Sequence, residues 1–287
     1  MEELYSEDYE KSARKVTQKG LRRLIATELL PNGAYAPVKG IYDIGWREWE
    51  SLPAADYVRE LRRLDDELIK ENETWILGLA PLVYKGELNL EQIRLLEFES
   101  YINANDTLAL RIAAHAFDNS KNREIRDIIL RHASEETGHG ELKADFLVNA
   151  FGMDLEKDIW NGTSALEDYN RERVYLEGTN EALKRLKKAS PPLAYAIIPF
   201  LERCLPRLDR MKAEGYRKQY GFPAKYLTFF DLHTYVDIYH ERLGLYVIGK
   251  YATTRELQDL VRDAVLASRE NRTKAMMALY NYISRYR

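Results

Sequence analysis

The chain has five histidines, and four of them fall into two copies of one spacing. His132-Ala-Ser-Glu-Glu136-Thr-Gly-His139 puts an acid four residues after the first histidine and a second histidine three further on. His233-Thr-Tyr-Val-Asp237-Ile-Tyr-His240 repeats the pattern with aspartate. On an α-helix each residue advances by about 100°, so these offsets bring the three side chains within roughly 60° of one another. Each helix then presents two imidazoles and a carboxylate on one stripe. A metal ion needs just this: several lone pairs converging on one point from a rigid support. Carboxylate-x-x-His units on facing helices also hold paired iron or manganese ions in helical bundles, normally with single carboxylates from other helices.

Glu202 is the best candidate for such a single carboxylate, because it sits in the apolar run Pro199-Phe-Leu-Glu202-Arg-Cys-Leu-Pro206, where a charge requires a partner. Glu97 and Glu99, in Leu-Leu-Glu-Phe-Glu-Ser-Tyr, are weaker candidates that solvent exposure would equally explain. Glu135 points about 100° from Glu136 and reads as solvated or at the edge of the site. Asp231 and Glu241, flanking the second stripe, read as surface residues, and His115 as a satisfied core histidine. His132 suits either a ligand or a support behind the ligands. The competing reading, that each stripe is only a hydrogen-bonded polar cluster, has to account for four of five histidines sharing one repeated spacing.

The 20 tyrosines against eight phenylalanines are unusual. Tyr235 and Tyr239 interleave the second stripe, and Tyr195 precedes Glu202 by about two turns. They serve as pocket edges, as donors behind the ligands, or as helix-packing residues with the hydroxyl at the rim. Cys204 reads as a small buried residue, and Lys184-Arg-Leu-Lys-Lys188 as a solvated helix end.

Helices must position these groups. Apolar residues recur mostly at helical spacing, without a convincing alternating strand. Helical pattern covers 4–29, 54–80, 89–117, 121–150, 166–188, 192–218, 224–250 and 254–284. Pro81 is expected to stop the second of these, and residues 31–53 are the most irregular stretch. The expectation is a single all-α domain over 1–287, a bundle of about eight helices, with N-terminal helices and an irregular segment in 1–90 and the chemistry in 120–250.

Composition narrows the function. Lys and Arg total 43 against 46 Asp and Glu, a net charge of −3, which lacks the basic field of a nucleic-acid binder. At 45% hydrophobic and 31% charged residues the chain is of ordinary globular type. One cysteine excludes an internal disulfide and a cysteine-rich zinc site. The acidic N-terminus has no secretory or transit character, no apolar run reaches membrane-spanning length, and a cytoplasmic location is expected. No glycine-rich nucleotide loop and no Gly-x-Ser-x-Gly element is present.

The stretch from Tyr220 through Phe229-Phe230-Asp-Leu-His233 to Asp237 and His240 resembles the last core helix of the haem-oxygenase-like diiron oxidases, relatives of the thiaminase-like and pyrroloquinoline-quinone-synthase-like helical proteins. Glu135-Glu136-Thr-Gly-His139, continuing to Gly152, is similar to their first core helix, and Glu202 followed by Pro206 to the single-Glu helix between. The resemblance covers roughly residues 120–250. It implies Glu136, His139, Glu202, His233, Asp237 and His240 as ligands to two Fe(II) per chain, with O2 as co-substrate. Some members carry a ligating Glu where this chain has His132, so the resemblance leaves either a six-ligand site or one with an additional imidazole. The resemblance further implies a small-molecule substrate, an external electron donor, a homodimer by family habit, and oxidative C–C cleavage or N-oxygenation in natural-product biosynthesis. An amino-acid or amine substrate is favoured by the polar edges that tyrosines offer. The alternatives are a fatty-acid decarboxylase of the same family, a ferritin-like amine N-oxygenase in which Glu97 or Glu99 becomes a ligand, and a metal-free thiaminase-like binding protein.

Overall fold

A computed structural model describes residues 27–29, 35–37, 48–104, 107–136, 139–155 and 180–286. Its elements are a short antiparallel ribbon and a series of helices. The ribbon pairs β1 (Thr27–Leu29) with β2 (Tyr35–Pro37), and Glu28 lies opposite Ala36. The helix expected over 4–29 therefore gives way to a strand in its last three residues; the rest of it lies outside the described residues.

Helix α1 (Ala55–Glu71) and the single turn α2 (Glu73–Ile76) fill the stretch read as one helix over 54–80. Gly78 and Leu79 then take left-handed backbone conformations, with φ of 54° and 61°. Helix α3 (Ala80–Lys85) follows. Pro81 opens this helix instead of ending the previous one, because a proline in the first turn forfeits only an amide with no intrahelical partner. Helices α4 (Leu90–Ala104), α5 (Thr107–Asn119), α6 (Arg123–Glu136) and α7 (His139–Phe151) come next.

After residues outside the description come α8 (Glu181–Ala189), capped by the Asn180 side chain, and α9 (Pro191–Leu201). A 3-10 turn, Glu202–Cys204, separates α9 from α10 (Leu205–Lys218). The long helices α11 (Thr228–Tyr251) and α12 (Arg255–Ile283) close the fold, and the Thr254 hydroxyl caps α12. Among the described residues no helix is long and apolar enough to cross a membrane.

Two large apolar clusters hold these helices together. One gathers Val58, Ile128, Ala196, Phe200, Val247 and Val261; the other gathers Leu79, Leu96, Phe146, Tyr216, Phe230 and Leu279. The elements that carry the two histidine stripes run from one cluster to the other. Helix α11 places Phe229 and Phe230 in one and Leu243 to Ile248 in the other, and the α6–α7 stretch does the same with Phe146 and Ile129. The second stripe and the 132–139 stretch thus fall at the seam between two dry cores.

Candidate metal centre

Seven side chains converge at this seam. His132, Glu136 and His240 form one group whose ligand atoms all lie within 4.8 Å of one another; Glu136, His139 and His233 form a second, and Glu202, Asp237 and His240 a third. Glu136 and His240 each belong to two groups, so the three are one continuous centre. His132 and Glu136 come from the last turns of α6, His139 is the first residue of α7, and His233, Asp237 and His240 share one face of α11. Glu202 comes from the 3-10 turn between α9 and α10.

The distances are short. His240 Nδ1 lies 3.2 Å from Glu136 Oε1, 3.0 Å from Glu202 Oε2 and 3.2 Å from Asp237 Oδ1. His139 Nδ1 is 3.1 Å from Glu136 Oε2, and His132 Nε2 is 3.4 Å from Glu202 Oε2. His132 packs its ring 4.3 Å from that of His240, and His139 lies 4.5 Å from His233, centre to centre.

Proximity without bonding is the telling feature. Among the described residues, His132 Nε2, Glu136 Oε1, Glu202 Oε2 and Asp237 Oδ2 are buried and make no hydrogen bond. Buried polar atoms are almost always hydrogen-bonded, because leaving one unsatisfied costs about 1–3 kcal/mol. Four together, aimed into one space, fit a cation. The donor set of three carboxylates and four imidazoles suits iron, and the carboxylates would offset much of the charge of a bound divalent metal.

The far sides of the imidazoles are tied down. His233 Nδ1 donates to the Phe229 carbonyl at 2.8 Å, and His132 Nδ1 lies 2.9 Å from the Tyr195 hydroxyl. Each contact fixes the ring and leaves Nε2 facing inward, the usual support of a ligating histidine. Burial, joined by the neighbouring His139, lowers the His233 pKa to about 3, so its ring is neutral with a free lone pair at physiological pH. Burial alone would raise Glu136 and Glu202, but histidines outweigh it: the His139 hydrogen bond and neighbouring ring charges hold Glu136 far below the carboxylate range, and His132 and His240 bring Glu202 to about 2. Asp237 goes the other way, pushed up by burial, with Glu202 and Glu136 adding to the rise against the pull of His240.

Several expectations change. Glu97 is fully buried, with both oxygens engaged by Lys143, Lys212 and Tyr216, and neither it nor the buried Glu99 belongs to a convergent group. Asp231 and Glu241, read as surface residues, are buried and paired, Asp231 with Arg217 and Glu241 with Arg62 and Arg203. Helix neighbours on α11 lie only about 100° apart, and the helix is enclosed on more sides than its apolar pattern suggests. His115 is half-buried beside Asn119. Tyr195 is 1% exposed and stands behind His132, not at a pocket edge. The side chain of Glu135 lies outside the described residues.

A helical bundle that carries a mixed carboxylate–imidazole centre between its cores defines a class of helical metal-dependent proteins. Within it, residues 100–272, more than half of the chain, match the haem-oxygenase-like family of iron-containing redox enzymes, and the chain belongs to that family. No curated protein matches it. It is thus an all-α, iron-dependent oxidoreductase by family, and the family match supports the haem-oxygenase-like reading over the ferritin-like one.

Proposed function

We propose that the protein is an O2-dependent non-haem diiron oxidoreductase. Its substrate is a small amino acid or amine, transformed by oxidative C–C cleavage or N-oxygenation in the biosynthesis of a natural product. The observation that carries this reading is the convergence of Glu136, His139, Glu202, His233, Asp237, His240 and His132, with four buried donor atoms that have no hydrogen bond among the described residues.

Two Fe(II) ions held by this set would supply electrons and open coordination positions for O2 activation. Glu136 belongs to both halves of the donor set, which would hold metal through His139 and His233 on one side and Glu202, Asp237 and His240 on the other. His132 adds an imidazole to the second half and keeps its remaining ring nitrogen on Tyr195. The Phe229 carbonyl keeps the His233 proton on Nδ1, so that Nε2 remains a donor. The four histidines and Asp237 are buried while Glu136 and Glu202 stay partly open, so bulk water is largely kept from the set and the charge interactions inside it are strengthened.

The test is anaerobic Fe(II) titration of the metal-free chain, then mixing with O2 under stopped-flow optical detection. The expected result is about two irons per chain and a transient visible band. His233→Ala should lose one iron. His132→Ala retaining both would place that residue behind the ligands, and losing one would make it a ligand. Titrations repeated with candidate amino acids, amines and fatty acids separate the substrate classes, since the matching class tightens the weaker site. No iron uptake under any condition would overturn the reading.

A further inference from the structure

The 3-10 turn that carries Glu202 is held only in part by its own backbone: the Glu202 amide donates to the Ile198 carbonyl and the Leu205 amide to that of Glu202. Pro206 has no amide proton to give the Glu202 carbonyl, which accepts from Leu205 in the 3-10 manner, and Pro199 has none to give within the preceding helix. Side chains from elsewhere also hold the turn. Arg269 of α12 donates to the Leu201 carbonyl at 3.1 Å and to Cys204 Sγ at 3.3 Å, gripping the residue before Glu202 and the end of the turn. Arg203 points away from the centre and donates to Asp65 at 3.0 Å, Asp66 at 2.7 Å and Glu241 at 3.0 Å. Glu241 directly follows His240, so one ion pair joins the chain neighbours of two convergent residues.

Both guanidiniums meet on Asp65. Arg269 binds it through two bonds, 2.7 and 2.9 Å, and Arg203 shares one of its oxygens. Asp65 is completely buried on α1 and has no direct contact with the convergent set. It also lies outside residues 100–272, the stretch that carries the family match.

We propose that Asp65 is a positioning residue of the metal centre: through Arg203 and Arg269 it sets the direction of Glu202, and the N-terminal helix α1 is thereby an integral part of the site. The inference rests on the iron-centre reading and deepens it. Outer partners of metal ligands contribute about 10–100-fold to metal affinity. Removing the Asp65 charge should therefore weaken the Glu202–Asp237–His240 half by that factor and spare the Glu136–His139–His233 half.

Anaerobic Co(II) titration of the full chain, followed by its visible ligand-field bands, tests this without any turnover. Wild type should bind about two equivalents. Asp65→Asn should bind one of them about 10–100-fold more weakly, with the bands of the other unchanged. A buried arginine left without its partner could unfold the variant, so the decisive chain is the double variant Asp65→Leu/Arg269→Met, which removes the buried pair together and restores packing. Selective weakening of one equivalent in a double variant as heat-stable as wild type supports positioning, because a purely structural role would leave both sites intact. Two equivalents of unchanged affinity in that variant overturn the proposal. A wild-type chain that takes up neither Co(II) nor Fe(II) overturns the iron-centre reading itself, an outcome distinct from the first.

Discussion

Gly244 of α11 lies directly against the backbone of Phe200 in α9. A Cβ on Gly244 would stand 2.6 Å from the Phe200 amide nitrogen and 2.8 Å from the Ala196 carbonyl oxygen, main-chain atoms that cannot rotate aside. Gly244 is one turn beyond His240, and Phe200 is two residues before Glu202, so this contact governs the 3.0 Å approach of His240 to Glu202. Gly244→Ala should push the helices apart, destabilise the fold by about 1–3 kcal/mol and weaken iron uptake on the Glu202 side. A thermal melt alongside an iron titration checks both, and a variant unchanged in each would show that the helices can part without disturbing the centre.

Tyr195→Phe tests the support of His132. The substitution keeps the ring packing but removes the hydroxyl 2.9 Å from Nδ1. Metal affinity should fall by about 10-fold or more with little change in melting temperature, as read by Fe(II) titration and circular dichroism.

Glu97 is expected to serve stability and not metal binding. Its carboxylate lies between Lys143 and Lys212, all three buried, and Lys143 also packs over the rings of Phe229 and Phe230. Burial disfavours its charge, yet the two ammonium groups bring its pKa to about 2. Glu97→Gln leaves two buried cations without their shared counter-charge and should cost about 3–5 kcal/mol in urea unfolding. Iron stoichiometry should stay the same. Loss of one iron instead would return Glu97 to the ligand set.

Asp209 should give the stability a pH dependence of unusual sign. Burial raises its pKa to about 7, with Glu97 adding to the rise and Lys212, Lys143 and Arg272 opposing it. Between about pH 4, the ordinary aspartate value, and pH 7 the folded chain holds a proton that the unfolded chain has released. This contribution is therefore present in acid and fades as pH rises to about 7, then stays flat. Asp209→Asn should remove that slope and leave the variant more stable relative to wild type at pH 8 than at pH 5. Urea midpoints at the two values decide it, and equal differences at both would refute the assignment.

Much of this was legible in the residues. The all-α class followed from apolar spacing, and the two His-x3-acid-x2-His stripes marked the centre because helical geometry is local: offsets of four and seven share a face whatever the rest of the chain does. Glu202 stood out as a charge in an apolar run. Helix ends were less legible. Pro81 begins a helix, because Gly78 and Leu79 had already turned the chain, and a left-handed leucine has no sequence signal.

Which carboxylates face the centre depended on contacts between residues far apart in the chain. Glu97 and Glu202 look alike in sequence, each an acid among apolar neighbours. Lysines 46 and 115 residues further on claim the first, and histidines on two other elements surround the second. The grip of Asp65 on the Glu202 turn spans 138 residues to Arg203 and 204 to Arg269. Local spacing thus determined which side chains share a stripe, since that follows from the helical repeat. Only tertiary packing decided which buried charge is neutralised by lysines and which joins the convergent histidine–carboxylate set, because Coulomb partners are chosen by distance in space and not by separation along the chain.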